Sequence, residues 1–122
     1  MSPCGAFGLA GLVPLNDFMK EVTCSELKRM QESGADFQLI DVREEYETEI
    51  ATIGGELIPM GEVMDSLDKI SKEKQVVVYC RSGNRSGSIV NALEKMGFSN
   101  VYNLKGGISA WTDEVDNTLT KY

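Results

Sequence analysis

The sequence predicts an α/β fold in which a central parallel sheet carries helices on both faces. Three observations predict it. Short apolar runs alternate with segments of helical period along the chain. One run, Val76-Val77-Val78-Tyr79, is continuously apolar, as befits a central parallel strand covered on both faces. That run ends on Cys80 and a turn containing glycine and arginine, and ligands of such sheets bind beyond the carboxyl ends of strands.

The elements follow in order. Thr23 and Glu26 have the spacing of a capping box, and Val22 and Leu27 that of a hydrophobic staple, so a helix starts here. Gly34 is its candidate terminator. Phe37 to Val42 reads as a strand with a mostly apolar face, and the acidic stretch Glu44 to Glu49 as a short, solvated helical turn. Gly54-Gly55 breaks that turn, and Glu56-Leu57-Ile58-Pro59 is a short strand closed by proline. Val63, Met64, Leu67 and Ile70 follow a helical period between Gly61 and Ile70. After the central strand, Ile89, Ala92, Leu93 and Met96 mark a helix from about Ser86 to Met96, ending at Gly97. Val101 to Leu104 is the last strand, and Gly106-Gly107 leads into Ile108-Ser109-Ala110-Trp111.

A chain of 122 residues, 42% hydrophobic and 25% charged, is one globular domain with a single core. A net charge of −7 argues against nucleic acid or an acidic membrane surface as the main partner. The chain has no histidine, which excludes a Cys-His or Ser-His pair and a histidine-containing zinc site within it. Its cysteines, Cys4, Cys24 and Cys80, are too few and too widely spaced for a disulfide framework or a dithiol motif. A reducing, cytoplasmic location is therefore the expectation. Residues 1–15 are expected to form an N-terminal tail, with a docking strip as the alternative, and residues 16–122 the domain. The tail lacks the basic flank of a signal peptide, and its apolar stretch is too short to span a bilayer.

Cys80 carries the one clear sign of chemistry. It opens Cys80-Arg81-Ser82-Gly83-Asn84-Arg85-Ser86, a turn that becomes a helix. Backbone N–H groups of the turn and the N-terminal end of the helix dipole favour negative charge there. That field, with two guanidinium groups nearby, is expected to lower the thiol pKa and hold Cys80 as thiolate near neutral pH. Gly83 permits the curl of the turn. Arg81 and Arg85 are candidate oxyanion binders.

Three separated segments now resemble the rhodanese-like sulfurtransferases: Leu39-Ile40-Asp41-Val42-Arg43-Glu44, the Cys80-to-Ser86 loop, and Leu104-Lys105-Gly106-Gly107-Ile108-Ser109-Ala110-Trp111. The resemblance covers roughly residues 20–122. It implies a Cys80 thiolate that takes sulfane sulfur from a donor such as thiosulfate, holds it as a persulfide, and yields it to a thiophilic acceptor. The loop from Arg81 through Ser82, Gly83, Asn84 and Arg85 to Ser86 would cradle that anion, with Asp41 and Arg43 in support. No metal or organic cofactor is implied. Where many such domains carry a Gly-His-Ile-type segment, this chain has Glu49 to Pro59. That version is similar to the rhodanese domain fused behind adenylyltransferases of the molybdopterin and thiamine pathways. The resemblance thus adds a sulfur-carrier protein, or such an adenylyltransferase, as a partner.

Two other classes compete. Cysteine phosphatases use a wider Cys-X5-Arg turn, whereas Arg85 here closes a Cys-X4-Arg turn that suits a single sulfur better than a phosphoryl group. The turn also lacks an aspartic acid for a leaving alcohol; a phosphatase or arsenate reductase comes third. A non-enzymatic binding or regulatory module of the same fold is the runner-up, and the intact Cys80 loop counts against it. Elsewhere the expectations are structural. Cys24 should pack, Cys4 has no assigned role, Asp41 and Arg43 should brace neighbouring turns, and Trp111 should lie in the core or at its rim. Ser82, Ser86 and Ser88 have no base partner and read as turn and cap residues.

Overall fold

The computed structural model describes residues 20–122. The tail expected at residues 1–15 lies outside the described residues. Among the described residues five parallel strands form one sheet: β1 (Glu21–Val22), β2 (Phe37–Asp41), β3 (Glu56–Leu57), β4 (Gln75–Tyr79) and β5 (Val101–Leu104). Their order across the sheet is β1-β5-β4-β2-β3, so the predicted central strand β4 is central. The helices are α1 (Cys24–Glu32), α2 (Glu45–Ile50), α3 (Asn84–Lys95) and α4 (Gly107–Glu114).

Strand alternation divides the core into two layers. Val76, Val78 and Cys80 face a cluster with Ile89, Val90 and Leu93 of α3, closed by Val63 and Ile70. Val77 and Tyr79 face the opposite cluster, with Leu27 of α1 and Ile108 and Trp111 of α4. Each fully buried aliphatic side chain contributes about 1.5–3 kcal/mol, and the two layers fix the register of β4 because a one-residue slip would exchange them. Trp111 is core, as expected. The capping box forms as the sequence predicts: Thr23 Oγ1 accepts from Glu26 N–H at 3.1 Å and Glu26 Oε1 accepts from Thr23 N–H at 2.8 Å. Gly34 follows the helix with φ +72°, a left-handed residue at the predicted stop.

Two sequence expectations change, and one strand is new. The segment from Gly61 to Ile70 is not an α-helix but two 3₁₀ turns, Met60–Asp65 and Leu67–Lys69. Its i→i+3 bonds, such as Ile70 N–H to Leu67 O, still bury Val63 and Ile70 while Met64 stays 43% exposed. The Gln38 amide holds the end of this segment against β2, donating to Lys69 O and accepting from Ser71 N–H, each at 2.8 Å. The acidic run is a helix, α2, yet it is not wholly solvated, because Glu47 is only 3% exposed. Edge strand β1 was not anticipated. Two residues carry no periodicity, and their pairing with Asn103 and Leu104 forms only in the folded chain.

Candidate active site at the end of strand β4

The chain leaves β4 at Cys80 and enters α3 at Asn84, so three residues make the turn. Gly83 takes φ +101°, a left-handed conformation that costs glycine little. This curls the loop around the sulfur. Gly83 N–H points at Cys80 Sγ from 3.1 Å and Ser86 N–H from 3.4 Å, while Ser86 Oγ lies 3.3 Å away. Cys80 is 1% exposed, at the floor of the loop. Burial by itself would push its thiol up. The Ser86 hydroxyl and the N–H groups of Ser86, Gly83 and Ser82 outweigh burial and hold the thiol below its usual value. The lowering comes from these hydrogen-bond donors, where the sequence pointed to the guanidinium groups as well.

Backbone hydrogen bonds fix the loop from behind. Ile108 N–H donates to Cys80 O and Ser109 N–H to Arg81 O, each at 2.9 Å. Gly107 makes this approach possible: a Cβ there would sit 2.5 Å from both carbonyl oxygens, and its φ is +62°. The Gly-Gly segment and the cysteine loop, separate in sequence, are thus one structural unit.

The arginines divide in function. Arg85 was expected to bind an oxyanion, but both its terminal nitrogens engage Glu47, Nη1 to Oε2 at 2.7 Å and Nη2 to Oε1 at 2.8 Å. The Arg85 hydrogen bonds hold the Glu47 carboxyl at about 2, against burial, which would raise it. Tyr122 Oη donates to Glu47 Oε1 at 2.9 Å and accepts from Arg43 Nη1 at 2.8 Å. Arg43 in turn grips Asp41, with Nε to Oδ1 at 2.9 Å and Nη2 to Oδ2 at 2.8 Å, and both residues are buried. Arg43 Nη1 also donates to Glu47 O at 3.3 Å, so the Asp41–Arg43 pair links β2 to α2. Arg81 is exposed, its guanidinium 4.9 Å from the centre of the Tyr122 ring, and it joins no ion pair among the described residues. Ser82 and Asn84 lie exposed on the rim.

Sequence reasoning missed three contributors. Glu47 hides within a run of similar residues, although Glu44 and Glu47 carry capping-box spacing. Tyr122 has no local signal. Asn103 has one: it interrupts the apolar strand β5, is buried, donates from Nδ2 to Gly83 O at 3.1 Å and faces Ser86 Oγ with Oδ1 at 2.5 Å. Cys24 behaves as the sequence suggests. Burial first, then Glu114, pushes its thiol up to about 11. No group of metal-ligating side chains occurs among the described residues, and no described helix is long and apolar enough to cross a membrane.

A parallel five-stranded sheet thus carries a cysteine in the turn before α3, at the end of its central strand. The family model of the rhodanese-like domain matches residues 23–114, and the chain belongs to that family. It is 36% identical over 104 residues to a probable adenylyltransferase/sulfurtransferase, MoeZ, of Mycobacterium tuberculosis, covering 83% of this chain but 26% of that protein. It is also 36% identical over 97 residues to the putative sulfurtransferase YtwF of Bacillus subtilis, covering 79% of this chain and 93% of that one. The crystal structure of a rhodanese-like domain protein from Staphylococcus aureus superposes with a TM-score of 0.72 at 35% identity, covering 80% and 95% of the two chains. Family and relatives support a role in sulfur transfer in general.

Proposed function

We propose that Cys80 is the nucleophile of a sulfurtransferase that carries sulfane sulfur as a persulfide. The carrying observation is the convergence of Gly83 N–H, Ser86 N–H and Ser86 Oγ on one sulfur atom at the N-terminus of a twelve-residue helix. With thiosulfate as donor, the Cys80 thiolate attacks the outer sulfur, a new S–S bond forms, and the bond to the sulfonate sulfur breaks to release sulfite. A thiophilic acceptor then attacks the outer sulfur of the persulfide, and Cys80 leaves as thiolate. The N–H cradle stabilises the anion at both stages.

Arg81, in no ion pair among the described residues and stacked against Tyr122, is the cation for the donor's sulfonate. Arg85, held by Glu47, keeps the start of α3 in place and adds its field more than a direct contact. The likeness to MoeZ, named as both adenylyltransferase and sulfurtransferase, supports a sulfur-carrier protein as acceptor. Intact-protein mass spectrometry after incubation with thiosulfate tests the reading. The expected result is a gain of one sulfur atom that cyanide removes and that Cys80→Ser abolishes. No gain from thiosulfate or from a low-molecular-weight persulfide, in folded protein with reduced Cys80, overturns it and leaves a binding module.

A further inference from the structure

Asn103 stands on β5, next to β4, and touches both halves of the cradle. Its Nδ2 donates to Gly83 O at 3.1 Å, while Gly83 N–H points at Cys80 Sγ from 3.1 Å. This bond fixes the orientation of the amide, so Oδ1 is the atom that faces Ser86 Oγ at 2.5 Å. An amide oxygen only accepts, and a serine hydroxyl has a single proton. That proton can serve Asn103 Oδ1 or Cys80 Sγ, but not both at once. On its other side Ser86 Oγ lies 3.3 Å from Cys80 Sγ.

One proton thus has two claimants. With Cys80 protonated, the chain runs in one direction, from Sγ–H to Ser86 Oγ and from Ser86 O–H to Asn103 Oδ1, and every group is satisfied. When Cys80 ionises, the two backbone N–H groups stay with the sulfur, but the hydroxyl can turn to it only by leaving Asn103 Oδ1 without a donor. Asn103 is 3% exposed, so water does not readily replace that donor. If the hydroxyl stays with Asn103, an oxygen lone pair faces the thiolate instead. Either arrangement leaves the thiolate less stabilised than a Ser86 hydroxyl with no second acceptor would. Loading with sulfur removes the conflict, because the negative charge moves to the outer sulfur and Sγ becomes a neutral, disulfide-like atom.

We propose that Asn103 is a positioning residue that withholds the Ser86 proton from the Cys80 thiolate and thereby favours the sulfur-loaded cysteine over the bare one. Its consequence for sulfur loading rests on the sulfurtransferase reading above; its effect on the thiol does not. A thiolate held less tightly is also the better nucleophile, since nucleophilicity falls as thiol pKa falls. The side chain on the neighbouring strand thus offsets part of what the loop's donors do.

The charged groups around Cys80 come from several elements: Arg81 from the loop, Arg85 from α3 with Glu47 from α2, and the Asp41–Arg43 pair at the end of β2. None of them is altered in the test, so their fields cancel in a double-mutant cycle. The rate of Cys80 alkylation against pH, read by peptide mass spectrometry so that Cys4 and Cys24 do not interfere, is measured for wild type, Asn103→Leu, Ser86→Ala and the double variant. Asn103→Leu also frees Gly83, and that part persists in the Ser86→Ala background. The proposal expects the midpoint in the Ser86-containing background to move lower, relative to the shift in the Ser86→Ala background, by about half to one pH unit, roughly 3–10-fold in acidity. Equal shifts in the two backgrounds, or a coupling of opposite sign, overturn it. Circular dichroism reports folding, and Asn103→Ala replaces Asn103→Leu in the cycle if leucine is not accommodated. Equilibrium loading from a low-molecular-weight persulfide should fall by a similar factor in Asn103→Leu, and unchanged loading overturns the bias. If wild type does not load at all, the sulfurtransferase reading fails, while the alkylation cycle still decides whether Asn103 competes for the proton.

Discussion

Replacing Glu47 by glutamine tests the charge logic of the site most directly. The ordinary value of the carboxyl is 4.5, and hydrogen bonds from Arg85 bring it to about 2 in the fold. Such a lowering corresponds to about 3 kcal/mol of stability at neutral pH. Arg85, however, has a side chain 34% exposed, and solvent screening reduces the figure to about 1–2 kcal/mol. A folded-state value below the unfolded one means that the contribution is complete above about pH 4.5 and is lost as pH falls toward about 2. Glu47→Gln should therefore lower Tm at pH 7 by roughly 5–15 °C. Urea unfolding followed by circular dichroism between pH 7 and pH 2 is the assay. Wild type should lose stability more steeply than Glu47→Gln below pH 4.5, and the two curves should converge at the acid end. Parallel curves through that window would show that the pair contributes nothing and that Arg85 is held by something else.

Three further outcomes are expected. Gly107→Ala forces a Cβ to 2.5 Å from Cys80 O and Arg81 O at a left-handed backbone, so it should destabilise the domain by about 1–3 kcal/mol and displace the cysteine loop. Thermal unfolding and the rate of Cys80 alkylation together measure both effects, and a wild-type loop in this variant would contradict the close approach. Thr23→Ala removes one bond of the capping box and should lower stability by about 1 kcal/mol while leaving Cys80 reactivity unchanged. At pH 7 limited iodoacetamide should label Cys80 before Cys24, because burial pushes the Cys24 thiol up to about 11 and the loop donors lower that of Cys80. Peptide mapping reads the order, and preferential labelling of Cys24 would refute the electrostatic account.

Much of the fold and the place of Cys80 were legible in the chain because both depend on short-range pattern. The apolar run into Cys80 sets strand β4, the capping spacing of Thr23 and Glu26 sets α1, and glycine marks the turns where φ is positive. The 3₁₀ turns near Val63 escaped because the same apolar spacing serves either helix type, and the Gln38 contacts that hold the segment's end come from a distant strand.

The sequence by itself determined that a thiol at a strand's end would meet backbone donors at a helix start, since strand, turn and helix are contiguous from Val76 to Lys95. Tertiary structure alone decided what surrounds that thiol. Glu47 takes Arg85 from a distance of 38 residues, Tyr122 lies against Arg81, and Asn103 reaches Ser86 from the adjacent strand. The physical reason is range. Dihedral preference, capping and periodicity act within a few residues and are written locally. The partner of a buried charge or proton is chosen by which side chains the packed sheet brings within hydrogen-bond distance.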